Sequence, residues 1–113
     1  MEERRAPLVL STDRSRVDVD AVLGILIASH WGGGMTRPIL ERAIENSLCV
    51  GVSDGARQVA FARAVTDLAT YAYLTDVIVA EAMRGRGIGS WLVESIVAHP
   101  ARQGLRPDRA VDP

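Results

Sequence analysis

Arg84-Gly85-Arg86-Gly87-Ile88-Gly89-Ser90 is the stretch on which the reading of this chain turns. Before it runs Tyr73-Leu74-Thr75-Asp76-Val77-Ile78-Val79, rich in aromatic and β-branched residues, as a strand is. Behind it Ile88, Leu92, Val93 and Ile96 recur at helical spacing, which predicts a helix over 87–98 closed by His99-Pro100. A glycine loop between a strand and a helix start is a site for anionic oxygens. The first amides of a helix lack internal partners and sit at the positive end of its dipole. Glycines let backbone approach a phosphate closely, and Arg84 and Arg86 add charge and bidentate donors. A pyrophosphate is the natural guest, set against the plainer reading of a structural glycine turn that introduces a helix.

Working outward, residues 8–11 predict a first strand. Asp18 can cap a helix whose apolar positions are Val19, Val22, Leu23, Leu26 and Ile27. Gly24 inside it costs about 1 kcal/mol relative to alanine, so that helix needs tertiary packing. Gly32-Gly33-Gly34 ends the pattern. Thr36, with Pro38 in the first turn, opens a second helix carrying Ile39, Leu40, Ala43 and Ile44, with Asn46 as its terminator. Strands follow over 48–52, 59–66 and 71–79, the first two joined at the hairpin signal Asp54-Gly55. The predicted class is α+β, in the order β-α-α-β-β-β-α. Residues 1–100 form one core, and 101–113 read as a tail without apolar periodicity.

Which pyrophosphate the loop would hold can be narrowed. The dinucleotide fingerprint needs a third glycine where Ser90 stands and a parallel strand before it; here an antiparallel meander precedes the loop. A P-loop needs Gly-Lys-Ser/Thr, which is absent. What remains is Arg-x-x-Gly-x-Gly, carried by Arg84, Gly87 and Gly89.

With that loop, the stretch from Tyr73 through Gly89 resembles the central strand and coenzyme A loop of the GNAT superfamily of N-acetyltransferases, whose loop is written Gln/Arg-x-x-Gly-x-Gly/Ala. The resemblance extends over residues 8–106. It implies acetyl-CoA as co-substrate and a small-molecule or protein amine as acceptor. It also implies that backbone amides of Arg84, Gly85, Arg86, Gly87, Ile88, Gly89 and Ser90 bind the pyrophosphate, and that the backbone of Val77 and Val79 pairs with the pantetheine arm. In such enzymes the acceptor amine attacks the thioester, so a base, a carbonyl polariser and a thiolate acid are wanted. Asp76, the ionisable carboxylate of the central strand, is a candidate base. In a regular strand it faces away from Val77, and its alternative is a structural aspartate paired with an arginine. Tyr73, expected on the face of Thr75 and Val77, either orients the acceptor or packs. Trp31 and Gly32 to Gly34 match the region that shapes the family's acceptor pocket, and are otherwise a plain connector.

The family's fold continues with another strand, another helix and a final hairpin. Residues 101–106 resemble the approach to that strand, and then the pattern stops, so the sequence reads as lacking the C-terminal strands and helix. A chain cut there is expected to show weak turnover, and to associate with itself through the apolar edge left on the third strand of the meander. An alternative reading is a non-catalytic acyl-CoA-binding or interaction domain, and a third is a scaffold without ligand.

Composition bounds the rest. The 113 residues are 48% apolar and 24% charged, with a formal net charge of -1, which fits one folded domain and argues against a nucleic-acid binder. Cys49 is the single cysteine, which suits a reducing, cytoplasmic setting and is expected to be a small buried hydrophobe. His30 and His99 stand apart from any metal-ligand pattern, Trp91 reads as packing, and no stretch is long and apolar enough to suggest a membrane span.

Overall fold

A computed structural model describes residues 1–29, 34–99 and 110–111. The order of elements is β1 (Glu2–Arg5), β2 (Leu8–Ser11), a 3-10 turn (Arg14–Arg16), α1 (Val19–Ala28), α2 (Arg37–Glu45), β3 (Leu48–Asp54), β4 (Arg57–Thr66), β5 (Ala72–Val79), a second 3-10 turn (Glu81–Met83), α3 (Ile88–Val97) and β6 (Ala110–Val111). The strands form one sheet in the order of the chain. Neighbours are antiparallel except β5 and β6, which run parallel.

Local chemistry accounts for the helix boundaries. The Asp18 carboxylate accepts the Ala21 N–H at 3.1 Å and so caps α1. Thr36 precedes α2 without a side-chain cap, and the helix relies on Pro38 in its first turn. Asn46 ends α2 and donates its side-chain amide to the Arg42 carbonyl. The sheet separates two cores. α3 packs Ile88, Trp91, Leu92 and Ile96 against Leu10, Val50, Ala62, Ala64 and Leu74. On the opposite face, α1 and α2 bring Val22, Leu26, Leu40 and Ile44 to Cys49, Phe61 and Ile78.

The α+β order of the meander and its helices is as the sequence predicts, with two additions. β1 is an exposed run of Glu2, Glu3, Arg4 and Arg5 with no apolar alternation to announce it. It is held by pairing with β2, by Glu3 accepting the Trp91 indole N–H at 2.9 Å, and by the Arg5 guanidinium 4.4 Å from the Trp91 ring centre. Trp91 itself is a core residue, as expected.

The second addition is a two-residue pairing within 101–113, the stretch read as tail. Ala110 and Val111 pair with Ala72 and Tyr73. Two residues carry too little pattern to be read as a strand. Among the described residues, β6 covers only the start of β5, and the edge from Leu74 to Val79 has no strand beside it.

Candidate functional site

β5 is not a regular strand. Phe61 lies opposite Ile78, but Arg63 lies opposite Thr75, so β5 carries one residue more than β4 across this step. Asp76 sits there with φ 53, in the left-handed region, which aspartate tolerates better than most residues. The extra residue inverts the alternation of side chains. Leu74 packs in the α3 core, whereas Ile78, four residues on, packs in the α1/α2 core. Tyr73 and Thr75, opposite Leu74 in facing, therefore belong to the α1/α2 side, and Val79 packs on the α3 side. The expectation that Tyr73 shares a face with Val77 is thereby corrected, because it assumed unbroken alternation.

Beyond the bulge the backbone geometry is simple. Ala80 N–H bonds the Val59 carbonyl at 2.8 Å, and Ile78 lies opposite Phe61. Amide directions alternate along a strand, so the N–H and C=O groups of Val77 and Val79 point to the open edge. A cleft of about 370 Å³ runs along that edge, lined by Ile25, Ala28 and Ser29 of α1, by Val77, Ile78 and Val79, and by Arg84 and Gly89. A second hollow of about 470 Å³ shares Ile25, Ala28 and Arg84 and adds Ala21, Gly24, Ala80 and Glu81, so the two make one groove.

The loop at its end is built by glycine. Gly85 and Gly87 have φ 79 and 76, conformations that glycine adopts without penalty. Gly87 is the N-cap of α3 and brings no side chain to the helix end. The first helical bond runs from Trp91 N–H to the Gly87 carbonyl at 3.1 Å, so the amides of Ile88, Gly89 and Ser90 come before any intrahelical partner. The Ile88 side chain is buried in the α3 core, so only its backbone is available to the site.

Gly89 is the informative residue. Its φ is ordinary, and a Cβ built on it meets nothing within 4 Å, although it lines the cleft. Neither backbone nor packing inside the protein explains a glycine there. A pyrophosphate at these amides and a pantetheine arm along Val77 and Val79 fit the groups present. Arg84 donates its Nε–H to the Val79 carbonyl at 3.2 Å, and Arg86 is exposed.

The catalytic candidates are placed differently. Asp76 accepts the Arg63 Nε–H at 2.6 Å, both side chains being about 15% exposed. Arg63 Nη1 also donates to the Ser47 hydroxyl at 3.1 Å, and Ser47 in turn donates to the Ala43 carbonyl at 2.6 Å, at the C-terminal end of α2. This is the arginine-paired arrangement weighed for Asp76. Tyr73 is half-buried, and its backbone stands in register with Val65 of β4 and Val111 of β6. Neither Asp76 nor Tyr73 lines the cleft. Cys49 is buried, and burial pushes its thiol up to about 11. His30, Trp31, Gly32 and Gly33 lie outside the described residues, as do 100–109.

Sequence reasoning missed the α1 wall of the groove, where Ala21, Gly24, Ile25 and Ala28 recur at one helical face. Its signal is small residues spaced by three and seven, with Gly24 placed where it costs helix stability. Sequence reasoning missed Arg63 and Ser47 as well, and no local pattern marks them.

Among known proteins, the sequence model of the acetyltransferase (GNAT) family matches residues 21–108. A crystal structure of a presumed acetyltransferase belonging to the GNAT family, from Xanthomonas campestris pv. campestris, is 39% identical with a TM-score of 0.83, over 94% of this chain and 74% of that one. A presumed acetyltransferase of Gibberella zeae is 28% identical, over 88% of this chain and 67% of its own length. A Deinococcus radiodurans structure at 21% identity shares the fold, with a TM-score of 0.77 over 100% of this chain and 77% of that one. With the matched segment taking in the groove, the bulged strand and the glycine loop, the chain belongs to the acetyltransferase (GNAT) family.

Proposed function

We propose that this protein is an N-acetyltransferase that binds acetyl-CoA in the groove between α1 and the β5 edge and passes the acetyl group to a primary amine. Gly89 carries the reading: it lines the groove at the start of α3, and nothing in the protein lies within 4 Å of a Cβ there, which leaves the helix amides open to close approach by another molecule. Acetyl-CoA supplies an activated thioester. The chain supplies three things. Amides of the α3 start, with Arg84 and Arg86 near them, bind the pyrophosphate. The outward amide and carbonyl of Val77 and the outward amide of Val79, whose carbonyl already accepts from Arg84, hold the arm as an added strand. Ile25, Ala28 and Ile78 give an apolar wall that limits water around the acyl end. The neutral amine nitrogen forms its bond to the acyl carbon, the carbon–sulfur bond breaks, and the proton that the nitrogen gives up to solvent is matched by the one that the departing sulfur takes up as the free thiol.

A second reading, binding without turnover, is favoured by one observation. The Asp76 carboxylate is already engaged by Arg63, and neither it nor Tyr73 lines the groove. Release of free thiol from acetyl-CoA across a panel of primary amines separates the two. Amine-dependent release supports transfer. Binding with no release above the amine-free rate supports the second reading.

A further inference from the structure

The ion pair between Arg63 and Asp76 joins the bulge to the end of α2, and the mechanism above gives it no task. The geometry points to Arg63 as a positioning residue that, with Ser47, holds Asp76 left-handed and so fixes the register in which β5 offers Val77 and Val79 to the acyl-CoA arm. This rests on the proposed cofactor reading and adds the device that sets its geometry.

Asp76 is the non-glycine residue at which the bulge is made, at φ 53. Left-handed backbone is costly for any residue with a Cβ, and it persists where surrounding structure over-determines it. Arg63 stands on β4 opposite Thr75, beside the step where the register shifts. Its planar fork spans two partners, Asp76 Oδ2 at 2.6 Å and Ser47 Oγ at 3.1 Å. The Ser47 side chain is almost fully buried and is itself fixed by the Ala43 carbonyl. The bulge is thus tied through two side chains to α2. If it relaxed, β5 would regain simple alternation, and the amides of Val77 and Val79 would turn from the open edge toward β4.

The test uses two ligands. Acetyl-CoA engages both the loop and the β5 edge, whereas 3′-phosphoadenosine 5′-diphosphate engages the loop alone. For Arg63→Met, acetyl-CoA affinity should fall about tenfold or more, because the arm loses a preset edge. Affinity for the diphosphate fragment should stay within about twofold. Glycine takes φ above zero freely, so the double variant Arg63→Met/Asp76→Gly should regain acetyl-CoA binding. Arg63→Met/Asp76→Val should not, although it equally removes the unpaired carboxylate, because a β-branched residue resists that conformation. Circular dichroism checks that each variant folds. If Arg63→Met does not fold, Arg63→Lys, which cannot span both partners, reads the same contrast at smaller size.

Equal acetyl-CoA binding by wild type and Arg63 variants would overturn the inference and leave the cofactor reading standing. So would equal behaviour of the glycine and valine doubles. A wild-type chain that binds neither ligand would overturn the cofactor reading and this inference with it.

Discussion

Replacing Gly89 by leucine should make the free protein more stable and destroy its use of coenzyme A. The position is in the first turn of α3, its φ is ordinary, and nothing within the protein lies within 4 Å of a Cβ there. Leucine is favoured over glycine in a helix by roughly 0.8 kcal/mol at interior positions, and a first-turn site should show about 0.5–0.8 kcal/mol of it. For a domain of this size that gain raises the melting temperature by about 2–5 °C. The same side chain would project into the groove lined by Val77, Val79 and Arg84, against the space assigned to the pyrophosphate and arm. Loss of close approach to the helix amides should weaken acetyl-CoA at least tenfold, about 1.4 kcal/mol. Thermal melts with and without acetyl-CoA read both effects in one experiment. The variant should melt at or above wild type alone and gain less from added acetyl-CoA than wild type, by about 1.4 kcal/mol or more at excess ligand. A variant that melts several degrees lower, or that acetyl-CoA still stabilises as it does wild type, refutes the reasoning.

Two other predictions concern the body of the fold. Cys49 should resist alkylation of the native protein at pH 8, and stability should fall as pH rises from 9 toward 11. The unfolded thiol ionises near 9.0 while burial holds the folded one protonated to about 11, so the unfolded state binds fewer protons in that window. The loss should approach roughly 2–3 kcal/mol, and Cys49→Ala should remove that slope in urea titrations. Gly51→Ala should destabilise by about 1–2 kcal/mol, since its Cβ would stand 2.2 Å from Gln58 Nε2. Gln58 is buried and accepts the Asp18 N–H at 2.6 Å, so it cannot retreat without leaving that amide unpaired. Adding Gln58→Ala to the Gly51 variant should cost less than the sum of the two single changes.

The loop was legible because its chemistry is local. Gly85 and Gly87 are glycines for their own backbone, and Gly87 begins α3 as the pattern of Ile88, Leu92 and Ile96 requires. The caps at Asp18 and Asn46 were readable for the same reason. The bulge was not. Whether Asp76 counts as an extra residue depends on what Phe61 and Arg63 do on the neighbouring strand, and alternation within residues 71–79 carries no sign of it. The facing of Tyr73 was lost with it, as was which arginine pairs with Asp76. β1 escaped because two of its four charged side chains, Glu3 and Arg5, gain their place from Trp91, 88 residues distant from Glu3 in the chain. The groove wall on α1 was half visible, since Gly24 stood out as a weak helix position before its use as space could be seen.

Everything proposed for this chain rests on the amides from Arg84 to Ser90 cradling the pyrophosphate of acetyl-CoA. Calorimetric titration of acetyl-CoA into the wild-type chain, with Gly87→Glu beside it, tests that most directly. Glutamate would force a side chain onto a backbone at φ 76 and place a carboxylate where the phosphates belong. One-to-one binding by the wild type and none by the variant is expected, both folded by circular dichroism. Equal binding by the two, or no binding by a folded wild type, would contradict it.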